Sequence, residues 1–422
     1  MPDSTNLLLR SIKGRPLSWS FSPQDLILVA FFGFVLFSNS NGSFLYIAFF
    51  LFAFWLIAAS FKTNILKYYL LDPKNVILLV LCFYFFVTGI IGGTFLFSIK
   101  QVGATLVMYS PILAFDYYKI KNNQKSLPFL ITVMIIIWFS CSLFAIYYYI
   151  THPGLAKVYA ADSSALGNVA IGGGMLLGYG SALLSCVCVD LLFSKKHKFV
   201  LLAAIFLALF LLFKIESTIT LICSIVGIVF SFVGSAFRTK KTVKYLFFLF
   251  FIVVFAAFFF CLKPIGELVI AYGHSLNSTF GNRIVSFGYA IIGDNSNGSY
   301  AFERASLMFT SLQTFLKHPL FGVAYLHGNG YLGVTNYGVG NHSAWLDILA
   351  NYGIVFGLLH LSLYIKQVSE VTKKKKNIFS IGWIVCLFVL GLFNPIKAWH
   401  LNFVLFFLIP SLNIVRFGGK QK

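Results

Sequence analysis

A chain of 422 residues that is 59% hydrophobic and 10% charged is excluded as a water-soluble protein, in which about a quarter of residues carry charge; lipid has to be its solvent. The net charge of +20 would suit a nucleic-acid binder, but Lys and Arg sit in short runs between apolar stretches and no basic domain stands apart from them. Nucleic acid is therefore not an expected partner, and the composition points to a single integral-membrane domain over 1–422.

In chain order, Met1 to Gln24 is polar and basic (Arg10, Lys13, Arg15), which predicts a cytoplasmic start without a cleavable signal peptide. Apolar runs then predict spans near 25–38, 43–61, 75–92, 97–115, 127–150, 165–193, 199–213, 217–237, 244–262, 344–365, 378–393 and 397–415. With both termini inside, 24 of the 32 basic residues fall on cytoplasmic segments; the outer side keeps Lys100, Lys157, Lys214, Lys263, Arg283, Arg304, Lys317 and Lys397. The expected fold is an all-α polytopic membrane protein of about 12 transmembrane helices, because losing one span would spoil the alternation downstream. The seven cysteines lie within or at the ends of apolar runs and read as small packing residues, with no disulfide framework.

Between the ninth and tenth predicted spans lies the one sizeable polar segment, 263–343, expected to be partly helical and to fold over the mouth of the bundle. Within it, Phe302 to Lys317 reads as an amphipathic helix, with Ala305, Met308, Phe309, Leu312, Phe315 and Leu316 at helical spacing, ended by His318-Pro319. A Gly-rich loop carrying Tyr325, Tyr331 and Tyr337 follows, and the chain re-enters the apolar phase at Gly340-Asn341-His342-Ser343.

The sequence shows no HExxH, no paired-acid motif, no Walker motif and no Gly-x-Ser-x-Gly elbow, so no metal or cofactor is expected. The first outer loop, Ser38 to Ser43, contains no acid, unlike membrane glycosyltransferases that hold a catalytic acid and a divalent metal there. His342 stands where a helix begins, with Asn341 or Ser343 able to cap it. The positive helix end would favour a neutral imidazole able to accept a proton; the residue could equally be a polar marker at the interface. Arg304, Arg283 and Lys214 are outer cations able to face a phosphate, or else solvated side chains. Tyr325, Tyr331 and Tyr337 could stack on sugar faces, or form an adaptable surface.

His318-Pro319-Leu320-Phe321-Gly322, then Val339-Gly340-Asn341-His342-Ser343, then Leu349 and Tyr352-Gly353-Ile354, resembles the O-antigen polymerase and O-antigen ligase superfamily. The resemblance implies a glycosyltransferase of the bacterial cell inner membrane, working at the periplasmic face on an undecaprenyl-diphosphate-linked oligosaccharide, with membrane lipid and a chain-length regulator protein as further partners. It implies His342 as base for the acceptor hydroxyl and Arg304 on the diphosphate. The ligases carry an arginine at the outer turn between spans seven and eight, where this chain has Lys214-Ile215-Glu216; a lysine offers a point charge without the bidentate fork. Polymerase is thus favoured, with a ligase acting on lipid A-core and a polysaccharide transporter without chemistry as alternatives.

Overall fold

The computed structural model describes residues 21–37, 42–62, 65–92, 95–151, 174–193, 198–215, 217–236, 262–276, 279–292, 300–324, 338–373, 379–396 and 398–417. About nine-tenths of the described residues are helical, and there is no strand among them. The helices are α1 (Pro23–Phe37), α2 (Gly42–Lys62), α3 (Ile65–Leu71), α4 (Pro73–Gly92), α5 (Phe95–Lys119), α6 (Leu127–Thr151), α7 (Gly174–Leu192), α8 (Lys198–Lys214) and α9 (Thr218–Ala236). They continue with α10 (Leu262–Ser275), α11 (Thr279–Ile292), α12 (Tyr300–Lys317), α13 (Ala344–Thr372), α14 (Gly382–Phe393), α15 (Trp399–Asn402), a π-helical turn (Phe403–Leu408) and α16 (Ile409–Phe417).

Four helices, α4, α6, α9 and α13, are long and apolar enough to cross a membrane. Shorter apolar helices cover Pro23–Leu36, Tyr46–Phe61, Leu176–Leu192, Gly382–Phe393 and Trp399–Val415. The predicted span 244–262 lies outside the described residues apart from Leu262, as does 165–173 of the sixth. Phe50, Phe61, Phe83, Phe199, Phe206 and Phe388 all face outward, each at least 60% exposed, a surface that lipid accommodates and water does not. The six described cysteines are free and buried.

Polar bonds tie helix ends together in a consistent way. Lys74, at the start of α4, donates to Glu370 at 2.8 Å and Gln367 at 3.2 Å near the end of α13. Lys119 reaches Asp72 at 3.3 Å, and the Tyr118 hydroxyl donates to Asp25. Asp190 accepts from the Ser235 hydroxyl and from the Ser380 N–H, both at 2.9 Å, joining the ends of α7 and α9 to the start of α14. These are the ends that the charge count assigns to one side.

At the opposite end, α12 packs along α13, as the amphipathic pattern over 302–317 requires. α10 and α11 form a hairpin within the segment expected to be partly helical. Gly266 and Gly273 of α10 face Gly288 and Gly281 of α11 so closely that any Cβ there would meet backbone carbonyls. Seven-residue spacing on both helices keeps each pair in register on one face, so the backbones themselves touch. Gly273→Leu should open this hairpin; a spin-label pair at 268 and 287 would read the loss of the single short interhelical distance, which Ala271→Leu on the exposed side leaves unchanged.

Candidate functional site

The site is built on a break in α13. Gly353 has φ 63° and ψ −166°, far from helical values, so the helix splits into Ala344–Tyr352 and a second half beginning at Ile354. The amides freed by the break do not go unpaired. Ile354 N–H donates to the Pro319 carbonyl at 2.7 Å and Val355 N–H to the Leu320 carbonyl at 3.2 Å. In return, Val323 N–H donates to the Ala350 carbonyl at 3.0 Å. Gly322, at φ 66°, leans on the backbone of Asn351 and Tyr352, while Gly353 leans on that of Leu320 and Phe321. A side chain on either glycine would collide with the other strand of this clasp, and both positions lie in the left-handed region. The Pro-Leu-x-Gly and Tyr-Gly elements of the sequence are thus two halves of one structural unit.

The clasp fixes where the chain re-enters the bundle. Ser343 occupies the N-cap position in extended conformation (φ −137°, ψ 107°), yet its hydroxyl makes no capping bond. The expectation of a side-chain cap from Asn341 or Ser343 is corrected for Ser343: the first helical amide, Ala344 N–H, goes to the Asn394 carbonyl, and the N-cap residue's own N–H is held by Asp347. Its carboxylate accepts from Ser343 N–H at 3.2 Å and from the Ser311 hydroxyl of α12 at 2.6 Å. Ser311 in turn accepts from Gly340 N–H at 2.8 Å, and Gly340 lies directly on the Leu307 carbonyl. Asn341, at φ 55°, turns the chain between Gly340 and His342. Asp347 is 2% exposed, so this carboxylate is a buried node joining the loop, α12 and α13.

This node revises the electrostatics expected of His342. A helix N-terminus alone disfavours an added proton, but a carboxylate one turn away opposes that field. His342 is half-buried.

Arg304 reaches the same corner from α12. Its guanidinium donates to the Phe393 carbonyl at 3.1 Å, and the next residue, Asn394, accepts Ala344 N–H at 3.1 Å. One turn at the end of α14 thus holds both Arg304 and the re-entry segment bearing His342. Trp345 locks α14 in place, with its indole N–H on the Phe388 carbonyl at 2.9 Å and its ring against Gly391.

The other candidates part company with this corner. The Lys214 ammonium lies over the Phe210 and Phe213 rings of its own helix, at 5.6 and 5.8 Å, a placement that suits an interfacial cation–π contact. The turn after it packs on α7, where Gly178 leaves room for Leu212 and Ile215. Arg283 lies on α11, with its side chain outside the described residues. Tyr325, Tyr331 and Tyr337 lie outside the described residues altogether. Among the described residues no three His, Cys, Asp or Glu side chains gather as a metal centre requires.

Sequence reasoning missed Asp347, Ser311 and Asn394. The bond from Ser311 to Asp347, and that from Ala344 N–H to the Asn394 carbonyl, join elements far apart in the chain and leave no local signal. His360 is buried within α13, bonded to the Tyr109 hydroxyl, and His400 is buried in α15. Compared with known family models, with curated proteins and with solved structures, the chain matches none.

Gly353→Ala should lower stability by at least ~2 kcal/mol, because it adds a left-handed penalty to a backbone clash; thermal unfolding in detergent reads it. Asp347→Asn replaces one acceptor by a donor, at a cost of about 1–3 kcal/mol. Hydrogen exchange should then accelerate at the Gly340 and Ser343 amides while the amides after Ile354 stay protected.

Proposed function

We propose that this chain is a glycosyltransferase of the O-antigen polymerase type, passing a glycan from undecaprenyl diphosphate to a sugar hydroxyl of another lipid-linked repeat. In this reading it crosses the bacterial inner membrane about twelve times, with both termini cytoplasmic and the 263–343 segment periplasmic. The observation that supports it most is the shared turn: Phe393 and Asn394 hold a guanidinium and the histidine-bearing re-entry at one corner of the bundle. Motif order in the sequence supports it further.

The chemistry asks for little more. The acceptor oxygen attacks the anomeric carbon as the carbon–oxygen bond to the diphosphate breaks. The diphosphate leaves with the electron pair, and the hydroxyl proton passes to His342. Arg304 takes up the charge developing on the leaving oxygen. Displacement in line inverts the anomeric configuration. A transport reading draws on His360, a buried ionisable group of the kind that marks paths through membranes.

Purified protein given lipid-linked repeats should lengthen them without ATP and with chelator present. His342→Ala should slow this roughly a hundredfold or more, and Arg304→Ala comparably. Full activity in both variants would sink the assignment. Lengthening that occurs only with lipid A-core as acceptor makes the protein a ligase, and movement of label across vesicles without change in chain length makes it a transporter.

A further inference from the structure

The re-entry corner contains two polar groups that none of the bonds above uses. The Ser343 hydroxyl is fully buried and has no hydrogen-bond partner, although it stands at an N-cap where a serine ordinarily finds one. The Asn394 side-chain nitrogen is likewise without a partner, on a residue 5% exposed. They are neighbours: the backbone bond from Ala344 N–H to the Asn394 carbonyl, 3.1 Å, joins the residue after one to the residue bearing the other. Buried donors and acceptors in folded proteins are nearly always paired, so two orphans at a single contact mark a place where something else supplies the partners.

The local charge says what that something is. The buried carboxylate of Asp347 lies within the first turn of α13 and accepts Ser343 N–H, so the helix end that would attract an anion is already compensated. A phosphate placed there would face that carboxylate. Arg304 lies on the other side of the same turn, at Phe393, and is the group suited to the diphosphate. An amide nitrogen that can only donate, beside a hydroxyl that can donate or accept, fits adjacent hydroxyls of a neutral sugar.

We infer that Ser343 and Asn394 form the acceptor-sugar subsite, with the Asn394 amide donating to one sugar hydroxyl and the Ser343 hydroxyl bonding to its neighbour. The inference rests on the glycan-transfer reading and deepens it. Asn394 positions the acceptor; the proton still leaves through His342. Division of labour follows, with anion on Arg304 and neutral glycan on the Ser343–Asn394 contact.

The test uses full-length protein in nanodiscs and two probes: the repeat oligosaccharide released by mild acid from the cell's own lipid-linked pool, and inorganic pyrophosphate. Calorimetric titration should show glycan binding weakened about tenfold or more by Asn394→Asp, which keeps the shape and removes the donor, and by Ser343→Ala. Pyrophosphate binding should be unchanged in both and weakened by Arg304→Ala. Asn394→Asp is preferred over Asn394→Ala because it leaves no cavity. Wild-type protein that binds glycan as tightly as the Asn394→Asp variant overturns the inference alone. Loss of pyrophosphate binding instead of glycan binding also overturns it. Wild-type protein that neither binds nor transfers glycan overturns the inference together with the reading beneath it.

Discussion

A helix that breaks among apolar neighbours must find new partners for its freed amides, because no water is at hand to take them. The break at Gly353 is the constraint on which the rest of this end of the molecule depends. Its amides are taken by Pro319 and Leu320, and the carbonyl of Ala350 is taken by Val323. Reciprocity makes the clasp rigid: each strand supplies both a donor and a glycine that lets the other strand approach. The segment after α12 is thereby fastened to α13 about 13 Å along the helix from its start.

With the clasp in place, the forward half of α13 is short and its start can be oriented independently of the membrane-crossing half. Asp347 does this. It holds Ser343 and Ser311 at once, so α12, the re-entry turn and α13 move as one body. Arg304, on the same helix as Ser311, is then committed to the end of α14, where the Asn394 carbonyl meets Ala344. The node also sets the sign of the field. A buried carboxylate beside a helix start leaves the corner balanced, with positive charge on one side at Arg304 and a compensated helix end on the other.

Much of this was legible in part. The amphipathic repeat over 302–317 predicted α12, since a 3.6-residue period needs no distant partner to be seen. His318-Pro319 as a helix stop and the apolar spans were readable for the same reason. The α10–α11 hairpin was not, because Gly266, Gly273, Gly281 and Gly288 lower helix propensity locally and make sense only once the two backbones touch. Lys214 was legible as a cation at a turn, but its settlement over Phe210 and Phe213 depends on rotamers that sequence does not fix.

The sequence by itself determined the solvent, since 59% hydrophobic composition leaves no soluble option. It also placed His342 at a helix start. Only the tertiary structure decided what that start is made of: that Asp347 holds the Ser343 N–H while the Asn394 carbonyl takes that of Ala344, that Arg304 comes to the same turn, and that Gly322 and Gly353 exist for each other. The physical reason is range. Periodicity and charge act within a few residues along the chain, whereas hydrogen bonds between Ser311 and Asp347, or Arg304 and Phe393, link positions that nothing local brings together.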